Sequence, residues 1–108
     1  MDQIQPLGKL VAEQMAWYGN AQGHKSRIYH FFDHEQGLYG VFSIPAPDHP
    51  YVKKMRFILF VRVEGDRVII EEDITDRPFY EALLAQGLNR EQLILTYAGE
   101  ELPNLLEV

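Results

Sequence analysis

The sequence predicts an α+β domain, with helices packed on one face of a mainly antiparallel sheet. Three observations point there. Apolar residues recur at helical spacing near the N-terminus. Four aromatic and β-branched segments follow, joined by two turns. A second helical pattern then leads into a short apolar run. The 108 residues, 46% hydrophobic and 24% charged, suit one domain spanning 1–108 with its own core.

In "PLGKLVAEQMAWYGN", Leu7, Val11, Met15 and Tyr18 share one helical face, flanked by Leu10 and Trp17. Lys9, Glu13 and Gln14 lie opposite. Pro6 suits a first turn, where its missing N–H costs nothing, and Gly19-Asn20 supplies the stop. Gly8 lowers intrinsic helicity, so this helix depends on docking. Met15, Trp17 and Tyr18 are expected in the core. "RIYHFFDHEQGLYGVFSI" reads as a hairpin, with strands Ile28–Phe32 and Leu38–Ile44 about the turn "DHEQG". "PAPDHPY" carries three prolines and can only be a connection.

"FILFVRVEGDRVIIEEDITD" reads as a second hairpin about Gly65-Asp66, a two-residue turn with glycine first. That turn sets Glu64 opposite Arg67, Val63 opposite Val68, Arg62 opposite Ile69 and Val61 opposite Ile70. Leu59, Val61, Val63, Val68 and Ile70 then face the core. Phe60, Arg62, Glu64, Arg67, Ile69 and Glu71 face the other way, with Ile58 one step further on. Glu64–Arg67 and the diagonal Arg62–Glu71 are charge pairs on that outer face. "DITDRPFYEALLAQG" turns from strand to helix: Asp73 is expected in the turn, Asp76 or Thr75 as N-cap, Pro78 in the first turn and Gly87 at the close. Asn89 and Gln92 have capping-box spacing before the last strand, "LILTY". The tail brings Leu102, Leu105 and Leu106 within reach of the sheet. The predicted order is an N-terminal helix, two antiparallel hairpins forming one sheet, a second helix and a short last strand.

Composition excludes several functions. With no cysteine there are no disulfides, thiolate metal sites or cysteine nucleophiles. The N-terminus lacks a signal-peptide pattern, and no apolar run approaches the ~18 residues of a membrane span. A soluble, cytoplasmic protein with no membrane contact is expected. A net charge of −6, with one small basic cluster at Lys53, Lys54 and Arg56, opposes strong nucleic-acid binding. His30 and His34 have the spacing of a helical zinc pair, but on a strand such side chains stand ~13 Å apart. Glu71 and Glu72 project to opposite faces of one strand and cannot pair as catalytic carboxylates. No glycine-rich phosphate loop or nucleophile elbow occurs. No catalytic residue, metal ligand or cofactor site is expected.

One surface is expected to bind. Ile58, Phe60 and Ile69 sit on a face otherwise occupied by Arg62, Glu64, Arg67 and Glu71, and such sheet faces are ordinarily polar. An apolar centre inside a charged rim has the anatomy of an interface. Ile58, Phe60, Arg62, Arg67, Ile69 and Glu71 are its candidate residues. The alternative is that the tail covers them.

The second half resembles the XisI family, the fdxN element excision controlling factor proteins. Its members share a strand, a "DGK"-like turn, a strand with a "WIxxDxT" run, a helix ending in glycine, and an "IVL" strand. The counterparts here are "EGDR", "VIIEEDIT", "YEALLAQG" and "NREQLILTY". The likeness extends upstream through "FFDHEQGLYGVFS" and the helix ending "WYGN", nearly the whole chain. The chain departs from the pattern where "IPAPDHP" replaces a Gly-Trp and where Ile69 or Ile70 replaces a tryptophan. The resemblance implies a divergent, non-catalytic accessory factor, acting with an XisH-like partner of nuclease fold in excision of a DNA element. The candidate face would then take that partner or a second copy of the chain. The alternative is a small-ligand-binding domain or an enzyme of unknown type, with its pocket near the Pro-rich loop 45–51.

Overall fold

The structure is a computed structural model that describes residues 6–18, 26–45 and 54–102. Helix α1 (Pro6–Met15) precedes the hairpin β1 (Ser26–Asp33) and β2 (Leu38–Pro45). The hairpin β3 (Arg56–Glu64) and β4 (Arg67–Asp73) follows, then helix α2 (Phe79–Ala85) and β5 (Leu93–Leu95). The five strands form one sheet in the order β1-β2-β3-β4-β5. Successive strands are antiparallel except β5, which runs parallel to β4. A parallel neighbour requires a crossover, and α2 with the 3-10 turn Arg90–Gln92 supplies it.

Both helices cover one face. Val11 and Met15 of α1 and Phe79 and Leu83 of α2 join Tyr39, Val41, Leu59, Val61, Val63, Val68 and Ile70 in one buried cluster. The expected inward set of the β3–β4 hairpin is therefore the core, and its predicted register from Glu64↔Arg67 to Val61↔Ile70 is the observed one. Gly65 takes φ 61° at the turn, the conformation expected of the glycine-first type. Gly8 has a packing reason beyond its helix propensity. A Cβ there would stand 2.3 Å from the hydroxyl of buried Tyr39, so a larger residue would force that ring or α1 to shift.

Two local expectations are corrected. Trp17 is 72% exposed, because α1 gives way to a turn after Met15 and the helical stripe no longer applies. Tyr18 instead swings inward, donating its hydroxyl to the Arg77 carbonyl at 3.0 Å and packing edge-on against Phe79. The N-cap of α2 is neither Asp76 nor Thr75. Asp73 accepts hydrogen bonds from the backbone N–H of Phe79 and of Thr75 and from the Thr75 hydroxyl, so one carboxylate serves both turn and helix. Gly87 closes α2 in the left-handed region, as expected. The stop at Gly19-Asn20, residues 46–51 of the Pro-rich loop, and Leu105 and Leu106 lie outside the described residues.

Candidate functional site

Away from the helices, the sheet presents an aromatic surface built by strand alternation and one bulge. Tyr29 and Phe31 alternate on β1, and Phe42 stands opposite Tyr29 on β2. Gly40 pairs with Phe31, and the Phe31 ring occupies its missing side chain's place: an added Cβ would meet that ring at 2.3 Å. On β3 the register with β2 jumps from Val41↔Leu59 to Phe42↔Phe57, leaving Ile58 as the extra residue of a β-bulge. The bulge places Phe57 and Phe60, three residues apart, on one side. Phe31 lies 6.4 Å from Phe57 and 6.3 Å from Phe60, and Phe57 and Phe60 are 5.1 Å apart, ordinary contact distances between aromatic rings. Phe42 touches Tyr29, Phe31 and Phe57 in turn. Tyr29 is 41% exposed, and the four phenylalanines are half-buried.

The expected contact residues divide over this geometry. Phe60 lies in the aromatic group. Ile58 does not share its face: at the bulge it packs against the helix-covered core, and Phe57 takes the place expected for it. Ile69 projects to the aromatic side but is fully buried, between Arg62 on β3 and Ile94 on β5. Its burial depends on its neighbours Arg62 and Ile94, and the docking of β5 beside β4 is a non-local event that strand alternation does not show. Arg67 opens β4 opposite Glu64, yet the ion pair Glu64 makes is with Arg62. A second bulge, on β4, leaves Glu71 as the extra residue between Ile70 and Glu72. Glu72 pairs with Phe60 while Glu71 reaches Arg62, so the two neighbours share the aromatic side and the opposite faces expected from simple alternation are corrected. The Glu71 carboxylate accepts Arg62 Nε at 2.8 Å, the diagonal pair expected, and also the Thr96 hydroxyl at 2.7 Å.

That junction sets the electrostatics at the edge of the patch. The Thr96 hydroxyl, outweighing the opposing effect of burial and helped by Arg62, holds the Glu71 carboxyl below the usual glutamate range. Burial works against the charge of Arg62, but Glu71 and Glu64 prevail and raise its pKa above the ordinary arginine value. A carboxyl depressed in the folded state stabilises the protein above its unfolded pKa, here the ordinary 4.5, and loses that contribution as pH falls through the folded value. The Glu71 side chain is 32% exposed, so solvent screening keeps the effect near the low end of charged hydrogen bonds. Glu71→Gln should therefore cost about 1 kcal/mol at pH 7. In urea unfolding from pH 7 downward, the gap to the native chain should close below the usual glutamate range; a gap independent of pH would contradict this assignment.

The remaining candidates are placed as follows. The His30 ring donates Nε2–H to the Tyr18 carbonyl at 2.7 Å, and His34 Nδ1 meets the Tyr39 hydroxyl at 3.0 Å, so each histidine serves the fold. Among the described residues no group of three or more His, Asp or Glu side chains is gathered to hold a metal. Lys54 and Arg56 are exposed ahead of and at the start of β3, while Lys53 lies outside the described residues. A cavity of about 290 Å³ opens between the ends of α1 and α2, lined by Gln14, Trp17, Tyr18, Arg77, Pro78, Glu81 and Ala82. Among the described residues, no helix is long and apolar enough to cross a membrane.

Comparison with known proteins agrees with this architecture. The family model described as XisI protein matches residues 1–107. The chain belongs to the XisI family. A XisI-like protein from Anabaena variabilis ATCC 29413 superposes with a TM-score of 0.74 at 17% identity, over 86% of this chain and 85% of that one. The fdxN element excision controlling factor XisI from the same organism superposes with a TM-score of 0.69, also at 17% identity, over 84% of this chain and 88% of that one. At such identity the two structures establish the shared fold. No functionally curated protein matches the chain in sequence. The low identity is that of a divergent homologue of the excision controlling factor, with the α+β order of helix, mixed five-stranded sheet and second helix retained.

Proposed function

We propose that this XisI-family chain is a non-catalytic, cytoplasmic accessory factor in excision of a DNA element, and that it acts by holding an XisH-like, nuclease-fold partner on the aromatic face of its sheet. The observation that carries the reading is the patch of Tyr29, Phe31, Phe42, Phe57 and Phe60. Sheets covered on one side by helices ordinarily turn polar residues to water on the other. Aromatic centres with charged rims are instead where interfaces concentrate their binding energy. Arg62, with Glu64 and Glu71, forms one side of that rim, and Arg67 and Glu72 extend it. Ile58 and Ile69 leave the contact set for the core-side position and the burial described above.

The net charge of −6 favours a basic protein surface over a phosphate backbone as the primary contact. Co-expression of the tagged chain with the XisH-like protein of the same genome tests the reading. A stoichiometric complex that survives size exclusion at physiological salt is expected. Two proteins that elute separately would overturn it.

The cavity beside Trp17 favours a second reading, small-ligand binding. Trp17 is the only tryptophan and stands exposed at the cavity, so its fluorescence would report an occupant directly. Under the partner reading, host small-molecule extracts leave that emission unchanged; a saturable change would favour the ligand.

A further inference from the structure

The two edges of the sheet are built differently. The β5 edge is only three residues long. β1 runs eight residues in unbroken register with β2, from Ser26↔Pro45 to Asp33↔Leu38, and among the described residues nothing pairs with its outer side. Exposed edges are usually blunted by proline, lysine or a bulge, and β1 has none of them. It also leaves Tyr29 41% and Phe32 39% exposed, one on each face.

We propose that β1 pairs antiparallel with β1 of a second copy, centred on His30, so that two five-stranded sheets become one continuous sheet. A two-fold axis normal to the sheet keeps the helices of both copies on one side. Opposed residues must then share a face, so their numbers sum to an even value. Among the even sums, 60 is the one that sets the strand's two formal charges against each other. It places Arg27 opposite Asp33 of the second copy and, by symmetry, Asp33 opposite its Arg27, with both pairs on the aromatic face. The same register sets Tyr29 against Phe31 twice on that face, and Ile28 against Phe32 twice on the helix face. Cross-strand pairs of opposite charge and of aromatic rings are both stabilising. The strand is thus self-complementary in charge and in shape. The pairing does not rest on the XisH-like partner, although it would run the aromatic patches of two copies together.

The chain has no cysteine, which makes the register directly testable. Light scattering should give twice the chain mass of 12.5 kDa at micromolar concentration. Arg27→Asp, which would oppose Asp33 of the second copy, should weaken dimerisation at least tenfold with unchanged far-UV circular dichroism. Directly opposed residues in an antiparallel pair have Cα atoms about 4.5–5.5 Å apart, so His30→Cys should oxidise to a covalent dimer. Phe32→Cys should not, because positions 32 of the two copies would stand ~13 Å apart. A monomeric native chain, a dimer indifferent to Arg27→Asp, or crosslinking at 32 in preference to 30 would each overturn the proposal. So would a dimer that forms no crosslink at 30.

Discussion

Phe79→Ala should lower the unfolding free energy by about 3–5 kcal/mol, since removing a fully buried phenylalanine forfeits its transfer energy and leaves a cavity. Phe79 is the first residue of α2 and meets Tyr18 edge-on with ring centroids 5.3 Å apart. Its N–H is also the one Asp73 holds at 2.8 Å. The side chain therefore joins the end of α1, the start of α2 and the sheet, and no neighbouring backbone can collapse into the space without undocking a helix. A domain of this size has roughly 5–15 kcal/mol to lose, so the variant should fall close to the limit of folding at 37 °C. Chemical unfolding followed by circular dichroism measures the change. A loss under 1 kcal/mol would mean that the two helices are not anchored through this ring.

The second large effect separates the burial of Ile69 from the accessibility of the aromatic patch. Ile69→Lys should abolish folding, because an uncompensated charge at a fully buried position costs about 3–5 kcal/mol or more. Phe57→Lys lies on the same side of the sheet but at a half-buried position whose ammonium can reach water. It should leave the domain folded. Proton NMR dispersion distinguishes the two: a collapsed spectrum for Ile69→Lys beside a dispersed one for Phe57→Lys. The reverse result would place Ile69 at the surface and Phe57 in the interior.

Much of the fold was legible because its signals are local. Gly65-Asp66 fixed one hairpin turn, and period-2 alternation fixed which of Leu59, Val61, Val63, Val68 and Ile70 face inward. What failed was non-local. Neither bulge has a composition signature, so Ile58 and Glu71 could not be singled out as extra residues, and the faces beyond them could not be tracked. The parallel docking of β5 is decided by its crossover, and it is this docking that makes Ile69 interior. Asp73 and Asp76 are chemically equal candidates for a cap, and only the path of the turn selects the first.

The candidate site was half visible. Phe60 and Arg62 follow from alternation on β3, while Tyr29, Phe31 and Phe42 were missed. Their signal was present in "YHFF" and "YGVF", where alternate positions carry rings, and a close reading of the first hairpin's register would have found them. Phe57 had no such signal, since it reaches the aromatic face only through the bulge at Ile58.

The proposed role rests on the aromatic face holding the partner. The most direct measurement is the affinity of Phe57→Lys for the XisH-like protein by titration calorimetry, against the native chain at equal salt. Central aromatic residues of an interface typically contribute 2 kcal/mol or more, so binding should weaken by about 30-fold or beyond while the variant stays folded. A folded variant that binds as tightly as the native chain would rule out the aromatic face as the partner surface.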